Sequence, residues 1–94
     1  MATGITTIDK FFRSLGNVNS GSPVTVTVPG TGNNYLLFTA NNNADSVTLW
    51  FIRPNTSVAI QLAGGNQISI TMGSSRTMTV TSATRNVAAF LAEI

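Results

Sequence analysis

The segment Pro23-Val24-Thr25-Val26-Thr27-Val28-Pro29 shows the pattern that decides the fold of this chain. Valine and threonine alternate in it, as expected for a β-strand with one buried face and one polar face. The flanking prolines bound the strand, because proline cannot donate a backbone hydrogen bond to a neighbouring strand. The same period of two continues through most of the sequence that follows, so we predict an all-β protein.

Seven short strands follow one another, separated by turns rich in glycine and asparagine. They are predicted at residues 24–28, 35–40, 46–53, 57–63, 67–72, 77–81 and 86–94. The last segment also has a helix-compatible composition, but a closing strand fits the spacing better. Gly64-Gly65-Asn66 predicts a hairpin. Strands at this spacing are typical of a single β-sandwich or jelly-roll-like barrel with mostly antiparallel strands, which we assign to residues 23–94.

Residues 6–15 have a different period and predict a short N-terminal amphipathic helix or arm. Ile8, Phe11, Phe12 and Leu15 follow the spacing of one helical face. Gly16 stands where a left-handed residue commonly ends a helix. A helix of about two turns is not stable alone in water. We therefore expect it to pack on its own domain or, alternatively, to reach a neighbouring subunit.

The chain has few chemically reactive side chains. It contains five basic and three acidic residues among 94, with no histidine and no cysteine, whereas Thr, Asn and Ser supply 33 residues. Histidine is the commonest general base, and the three acids are far apart in the sequence. We predict that the protein is not an enzyme and binds neither metal nor cofactor. Scattered cations also argue against nucleic acid as a partner, and no cysteine is present to form a disulfide.

Aromatic and arginine side chains are the candidates for recognition. Residues 46–53 are apolar on both faces, so this strand is predicted to be central or at an interface. If Val47 and Leu49 point into the core, Trp50 points outward; alternatively, Trp50 is covered by the N-terminal helix. In strand 57–63, the valine, isoleucine and leucine are expected to point inward. The candidate interface residues are Ile8, Phe11, Phe12, Trp50, Arg53, Arg76 and Arg85.

In its overall style the chain resembles small all-β virion proteins of tailed phages, such as capsid decoration (cement) proteins and head or tail fibre modules. The resemblance lies in the charge-poor strands rich in Thr, Asn, Ser and Gly, the turns Asn41-Asn42-Asn43 and Gly64-Gly65-Asn66, and the short apolar segment at the N-terminus. It implies a homo-oligomeric structural protein, with a trimer favoured, bound to a virion surface such as the major capsid protein and carrying no cofactor.

A second hypothesis is a soluble ligand-binding module. A lectin-like module would stack a sugar ring on Trp50 or Tyr35, and a nucleotide-sequestering phage protein would use Arg53, Arg76 or Arg85 as phosphate clamps. For either function we expect synthesis in the host cytoplasm, and for the structural function a final location in the virion. The first residues show no signal-peptide pattern, and the longest apolar run is too short to cross a membrane.

Overall fold

The computed structural model describes residues 12–28 and 34–94, and this part of the chain consists mostly of β-strands. Single turns of 3-10 helix occur at Ala44–Ser46 and Pro54–Thr56. The strands found in the described residues are β1 (Phe12–Val18), β2 (Val24–Thr27), β3 (Tyr35–Ala40), β4 (Thr48–Arg53), β5 (Val58–Gly64), β6 (Ile68–Met72), β7 (Thr77–Ser82) and β8 (Val87–Glu93).

The eight described strands form two antiparallel sheets. The large sheet has the order β1-β8-β3-β4-β5, and the small sheet has the order β2-β7-β6. Neighbours in sequence pair in β3–β4, β4–β5 and β6–β7, whereas β1–β8, β3–β8 and β2–β7 pair across long stretches of chain. β3 is therefore the central strand of the large sheet, and the C-terminal strand β8 lies between β1 and β3.

One hydrophobic core joins the inner faces of both sheets. The alternation of each strand selects its buried residues, for example Leu37 in β3 and Val80 in β7. The twelve buried apolar residues of this core are Val18, Val28, Tyr35, Leu37, Trp50, Ile52, Ile68, Met78, Val80, Val87, Ala89 and Leu91. The alternation predicted for residues 24–28, 67–72 and 77–81, and the strand predicted at the C-terminus, are confirmed.

The prediction of a helix over residues 6–15 is wrong for the part that the structure describes. Phe12–Val18 is strand β1, which pairs with β8, while residues 6–11 lie outside the described residues. Gly16 does have a positive φ of 77°. It belongs to a bulge in β1, where the register with β8 shifts between Ser14 and Gly16 and the Gly16 N–H donates to Ser14 Oγ at 3.2 Å.

The structure fixes the orientation of β4, which the sequence left open, and shows that the faces predicted for β5 are wrong. Trp50 and Ile52 are buried, whereas Val47 is 38% exposed. In β5, Ile60 and Leu62 are 51% and 53% exposed rather than buried. Equal numbers of large apolar residues lie on both faces of β4, so hydrophobicity alone does not fix its orientation.

The hairpin predicted at Gly64-Gly65-Asn66 is also wrong. β5 belongs to the large sheet and β6 to the small sheet, so this turn carries the chain from one sheet to the other. A Cβ on Gly64 would lie 2.1 Å from the Val47 carbonyl oxygen, and one on Gly65 would lie 2.3 Å from Asp45 Cα. The two glycines are needed for close backbone approach to residues 45–48.

Candidate docking face

The face of the large sheet that points away from the core is apolar across its central strands. Successive residues of a strand point to opposite sides, so burying Tyr35 and Leu37 places Leu36 and Phe38 outside. The same alternation places every second residue of β4 and β8 on the outer side of the sheet. We call the resulting outer surface the apolar face; its members are Leu36, Phe38, Leu49, Phe51, Ile60, Phe90 and Ala92.

The strand register brings these side chains into two neighbouring rows. In one row Phe38 pairs with Leu49 on one side and with Phe90 on the other. In the next row Leu36 pairs with Phe51 and Ala92, and Phe51 pairs in turn with Ile60 of the edge strand β5. Directly opposed residues share a face and lie within contact distance. The apolar face is therefore continuous from β5 to β8.

A shallow depression lies in the middle of the apolar face. It is lined by Leu36, Phe38, Leu49, Phe90 and Ala92, all of them apolar. Phe38, on the central strand, remains 44% exposed. Leaving such surface in water is unfavourable by roughly 25 cal/mol per Å². A contiguous patch of this kind is typical of a surface that contacts another molecule.

Charged residues of the described chain lie away from the middle of the apolar face. Arg53 has the outward orientation in the alternation of β4, but it is the last residue of that strand and thus lies at the rim. Arg13 pairs with Leu91, which faces the core side of the sheet. A neutral centre with a charged rim is the common anatomy of a protein–protein interface.

Trp50, one of the predicted interface residues, lies in the core of the chain. Its indole Nε1–H donates to Thr48 Oγ1 at 2.9 Å. Thr48 shares a hydroxyl–hydroxyl hydrogen bond with Thr39, and Thr39 Oγ1 donates to the Ser46 carbonyl oxygen at 2.9 Å. Trp50 can therefore point into the core with its polar N–H satisfied, because Thr48 beside it on the same face accepts the hydrogen bond.

The arginines that were candidates for recognition occupy three different environments. Arg76 Nε–H donates to the Val28 carbonyl oxygen at 3.1 Å, which ties the β6–β7 turn to the end of β2. Arg85 Nε lies 3.1 Å from Asp45 Oδ1 in an ion pair. Arg53 is exposed. The three arginines therefore do not share a contact that would form one binding site. Of the three, only Arg53 borders the apolar face.

The aromatic candidates of the N-terminal segment are described only in part. Ile8 and Phe11 lie outside the described residues. The backbone of Phe12 begins β1 and pairs with Ala92, a member of the apolar face. The large sheet therefore continues past Ala92 to its other edge strand.

The outer face of the small sheet has the opposite chemistry. Thr79 of β7 pairs with Thr25 of β2 and Thr71 of β6, and the Thr25 and Thr79 hydroxyls lie 2.9 Å apart. Alternation places only hydroxyl side chains on this face of the three strands: Thr25, Thr27, Ser69, Thr71, Thr77, Thr79 and Thr81. The two sheets thus present one hydroxyl-rich face and one apolar face.

The sequence did contain a signal for the residues of the apolar face that were not predicted. Residues 35–38 and 87–92 are apolar at consecutive positions rather than alternating. Such a run indicates a strand covered on both sides. The apolar runs of β3 and β8 carry the same signal as residues 46–53, and they identify Phe38 and Phe90.

These features define an all-β protein with one apolar and one hydroxyl-rich outer face. Comparison with known proteins finds no matching family model, no similar curated protein and no similar solved structure. Residues 12–28 and 34–94 contain no group of three or more His, Cys, Asp or Glu side chains placed to hold a metal ion. In the same residues, no helix has the length and apolar character needed to cross a membrane.

Proposed function

We propose that this chain is a non-enzymatic structural protein of a viral particle, an oligomeric capsid decoration protein or another component of the virion surface. The observation that carries the proposal is the apolar face, a continuous surface with an uncharged centre on the outside of the large sheet. In this function the face is a contact surface that is covered in the assembled particle.

The exposure of large side chains supports an assembly function. Phe38, on the central strand, and Ile60, on the edge strand β5, are 44% and 51% exposed. Burial of one such side chain contributes about 1.5–3 kcal/mol when it is complete. A particle repeats each contact many times, so modest individual contacts suffice for stable attachment.

The difference between the two outer faces supports attachment on one side. We propose that the two sheets form a sandwich of the jelly-roll type, with the apolar face toward a protein neighbour and the hydroxyl-rich face toward water. Threonine suits an exposed strand surface because it combines high β propensity with hydrogen bonding to water. The neutral centre of the apolar face also avoids the cost of removing charges from water on contact.

The ligand-binding hypothesis has weaker support. Tyr35 and Trp50, the rings offered for sugar stacking, are 1% and 9% exposed. Arg76 and Arg85, offered as phosphate clamps, bond to Val28 and Asp45 within the chain. A ligand site built on these side chains would first require their existing contacts to open.

Cosedimentation tests the structural function. The purified chain is mixed with intact particles from its source, and the bound fraction is measured after centrifugation at low and at high salt. We expect saturable binding that survives high salt, because apolar contacts within the assembly are not screened by ions. Phe38→Asp is expected to weaken attachment, because it removes an apolar contact of the assembled chain and with it the avidity of repeated contacts. Thr71→Asp on the hydroxyl-rich face is the matched control. Absence from particles together with tight binding of a small molecule would contradict the proposal.

A further inference from the structure

We propose that the apolar face is covered by the same face of a second copy of this chain, so that two large sheets stack about a two-fold axis. This inference rests on the proposed function in taking the apolar face to be a contact surface, and it names the partner. Its basis is the area, the symmetry and the charge distribution of that face.

The size of the apolar face meets the requirement of a weak dimer. Its four strands, spaced about 4.8 Å apart with about six residues each rising about 3.4 Å, give a flat area of roughly 400 Å². Two such faces bury roughly 800 Å² in total, and the corrugation of the side chains adds to this. About 1,000 Å² is the lower limit for a specific interface, so we expect a weak, reversible dimer with a Kd in the micromolar range or above.

The absence of charge in the centre favours a copy of the same face over a charged partner. An isologous contact brings each residue near its own counterpart, so a charged centre would repel itself. The rows of Phe38 and Phe51 contain only apolar side chains from β5 to β8. Arg53 stands at the rim, where two guanidinium groups remain in water.

The geometry of stacked sheets also suits this partner. Sheets pack face to face at a separation of about 10 Å with their strands rotated by about 30°, because each sheet is twisted. Two identical large sheets have the same twist, so they can stack at this angle. Phe38, which is 44% exposed on the central strand β3, lines the depression with Leu49 and Phe90. Each copy thus offers both an exposed ring and a recess beside it.

The pairing predicts an even number of copies. An isologous contact closes on itself with two subunits. The trimer implied by the resemblance to phage virion proteins would require a heterologous contact between two different surfaces. The oligomeric state therefore distinguishes pairing through the apolar face from that alternative.

The test is sedimentation equilibrium of the full chain over a micromolar to millimolar range. We expect a reversible dimer for the wild type. Phe38→Asp is expected to raise the Kd by more than about 100-fold, because it places an unpaired charge in an apolar contact. Phe38→Thr, which suits a strand and adds no charge, is expected to raise it by about 10-fold or more through lost apolar area. Thr71→Asp, on the hydroxyl-rich face, is the matched control and should leave the Kd unchanged.

A mixing experiment adds a test that misfolding cannot imitate. Because Phe38 is near the centre of the face, it lies close to its own copy in a two-fold pair. An equimolar mixture of the Phe38→Asp and Phe38→Lys variants should therefore form a mixed dimer, although each variant alone is monomeric. Circular dichroism of each variant, compared with the wild type, checks that the sheets are intact.

Three results would overturn the pairing: a monomeric wild type, whatever else covers the face; a trimer; or a dimer that Phe38→Asp and Phe38→Thr do not weaken. Particle binding is scored separately by cosedimentation. A chain that forms the dimer but does not bind particles contradicts the virion function and leaves the pairing intact. A chain that binds particles as a monomer contradicts the pairing and leaves the virion function intact.

Discussion

Thr48 provides the hydrogen-bond partner that the inward-facing Trp50 of β4 needs. It is buried, accepts the Trp50 indole N–H and bonds to the hydroxyl of Thr39, its partner on β3. The Thr39 hydroxyl in turn donates a hydrogen bond to the Ser46 carbonyl oxygen. Without Thr48 the indole N–H would lie in the core with no acceptor at that position. The pairing explains why threonine occupies core positions in β3 and β4, whereas the threonines of β2 and β7 lie on the hydroxyl-rich face.

Replacing Thr48 with valine tests this interpretation. Thr48→Val preserves the shape of the side chain but leaves the Trp50 N–H without its acceptor. We expect a loss of about 1–3 kcal/mol in the free energy of unfolding, the usual cost of a buried unsatisfied donor. Urea unfolding measures it. Thr71→Val, on the exposed face of β6, is the control and should change stability by no more than about 0.5 kcal/mol. Equal effects at both positions would contradict the role of Thr48.

At the residue scale the sequence allowed only part of the structure to be predicted. The positive φ of Gly16 was expected, but glycine at positive φ serves helix ends and strand bulges alike. The orientation of Trp50 was left open, because the hydrogen bond to Thr48 depends on a register that the sequence does not display. Arg85 was a candidate for recognition, but its ion pair with Asp45 joins residues 40 positions apart, which the sequence does not reveal.

At the scale of elements, β1 shows the limit of periodicity as a guide. The spacing of its apolar residues fits a helix, yet the backbone of Phe12–Val18 pairs with β8. The pairing is a long-range contact that no local pattern reveals, and it overrides a weak helical preference. Val18 is fully buried at the end of β1, and Leu15 packs against the core at the bulge. β1 thus completes the core as well as the large sheet.

Shortening Val18 tests whether β1 belongs to the core. Val18→Ala removes two methyl groups from a fully buried position, and we expect a loss of roughly 2 kcal/mol from the transfer and cavity terms. Val47→Ala is the matched control, because Val47 is 38% exposed and its truncation should cost about 0.5 kcal/mol or less. Denaturant unfolding of the two variants provides the comparison. A Val18→Ala variant as stable as the control would show that β1 does not contribute to the folded core.

For the molecule as a whole, the strand content was far easier to predict than the pairing of the strands. All seven strands expected between residues 24 and 94 are present, because each has alternation or an apolar run between turn residues. The distribution of strands between two sheets was not predictable, since a turn such as Gly64-Gly65-Asn66 can close a hairpin or change sheets. The apolar face follows from that distribution and from the consecutive apolar residues of β3 and β8.

The few charged residues of the described chain lie at particular places in the fold. Among the described residues, charged side chains lie at strand ends, in turns or on the edge strand β1, while the centres of both outer faces are neutral. One of these faces is hydroxylated and the other is apolar. The central claim is that the apolar face is buried in the assembled state and the hydroxyl-rich face is not.

Thiol labelling measures this claim most directly, because the chain has no cysteine of its own. Ala92→Cys places one thiol in the depression of the apolar face, and Thr71→Cys places one on the opposite face. The labelling rate of each variant is compared between dilute chains and the assembled state. We predict that assembly slows labelling at position 92 at least about 10-fold, because a buried thiol is shielded from the reagent, and leaves position 71 unchanged. Equal labelling at position 92 in both states would contradict the account.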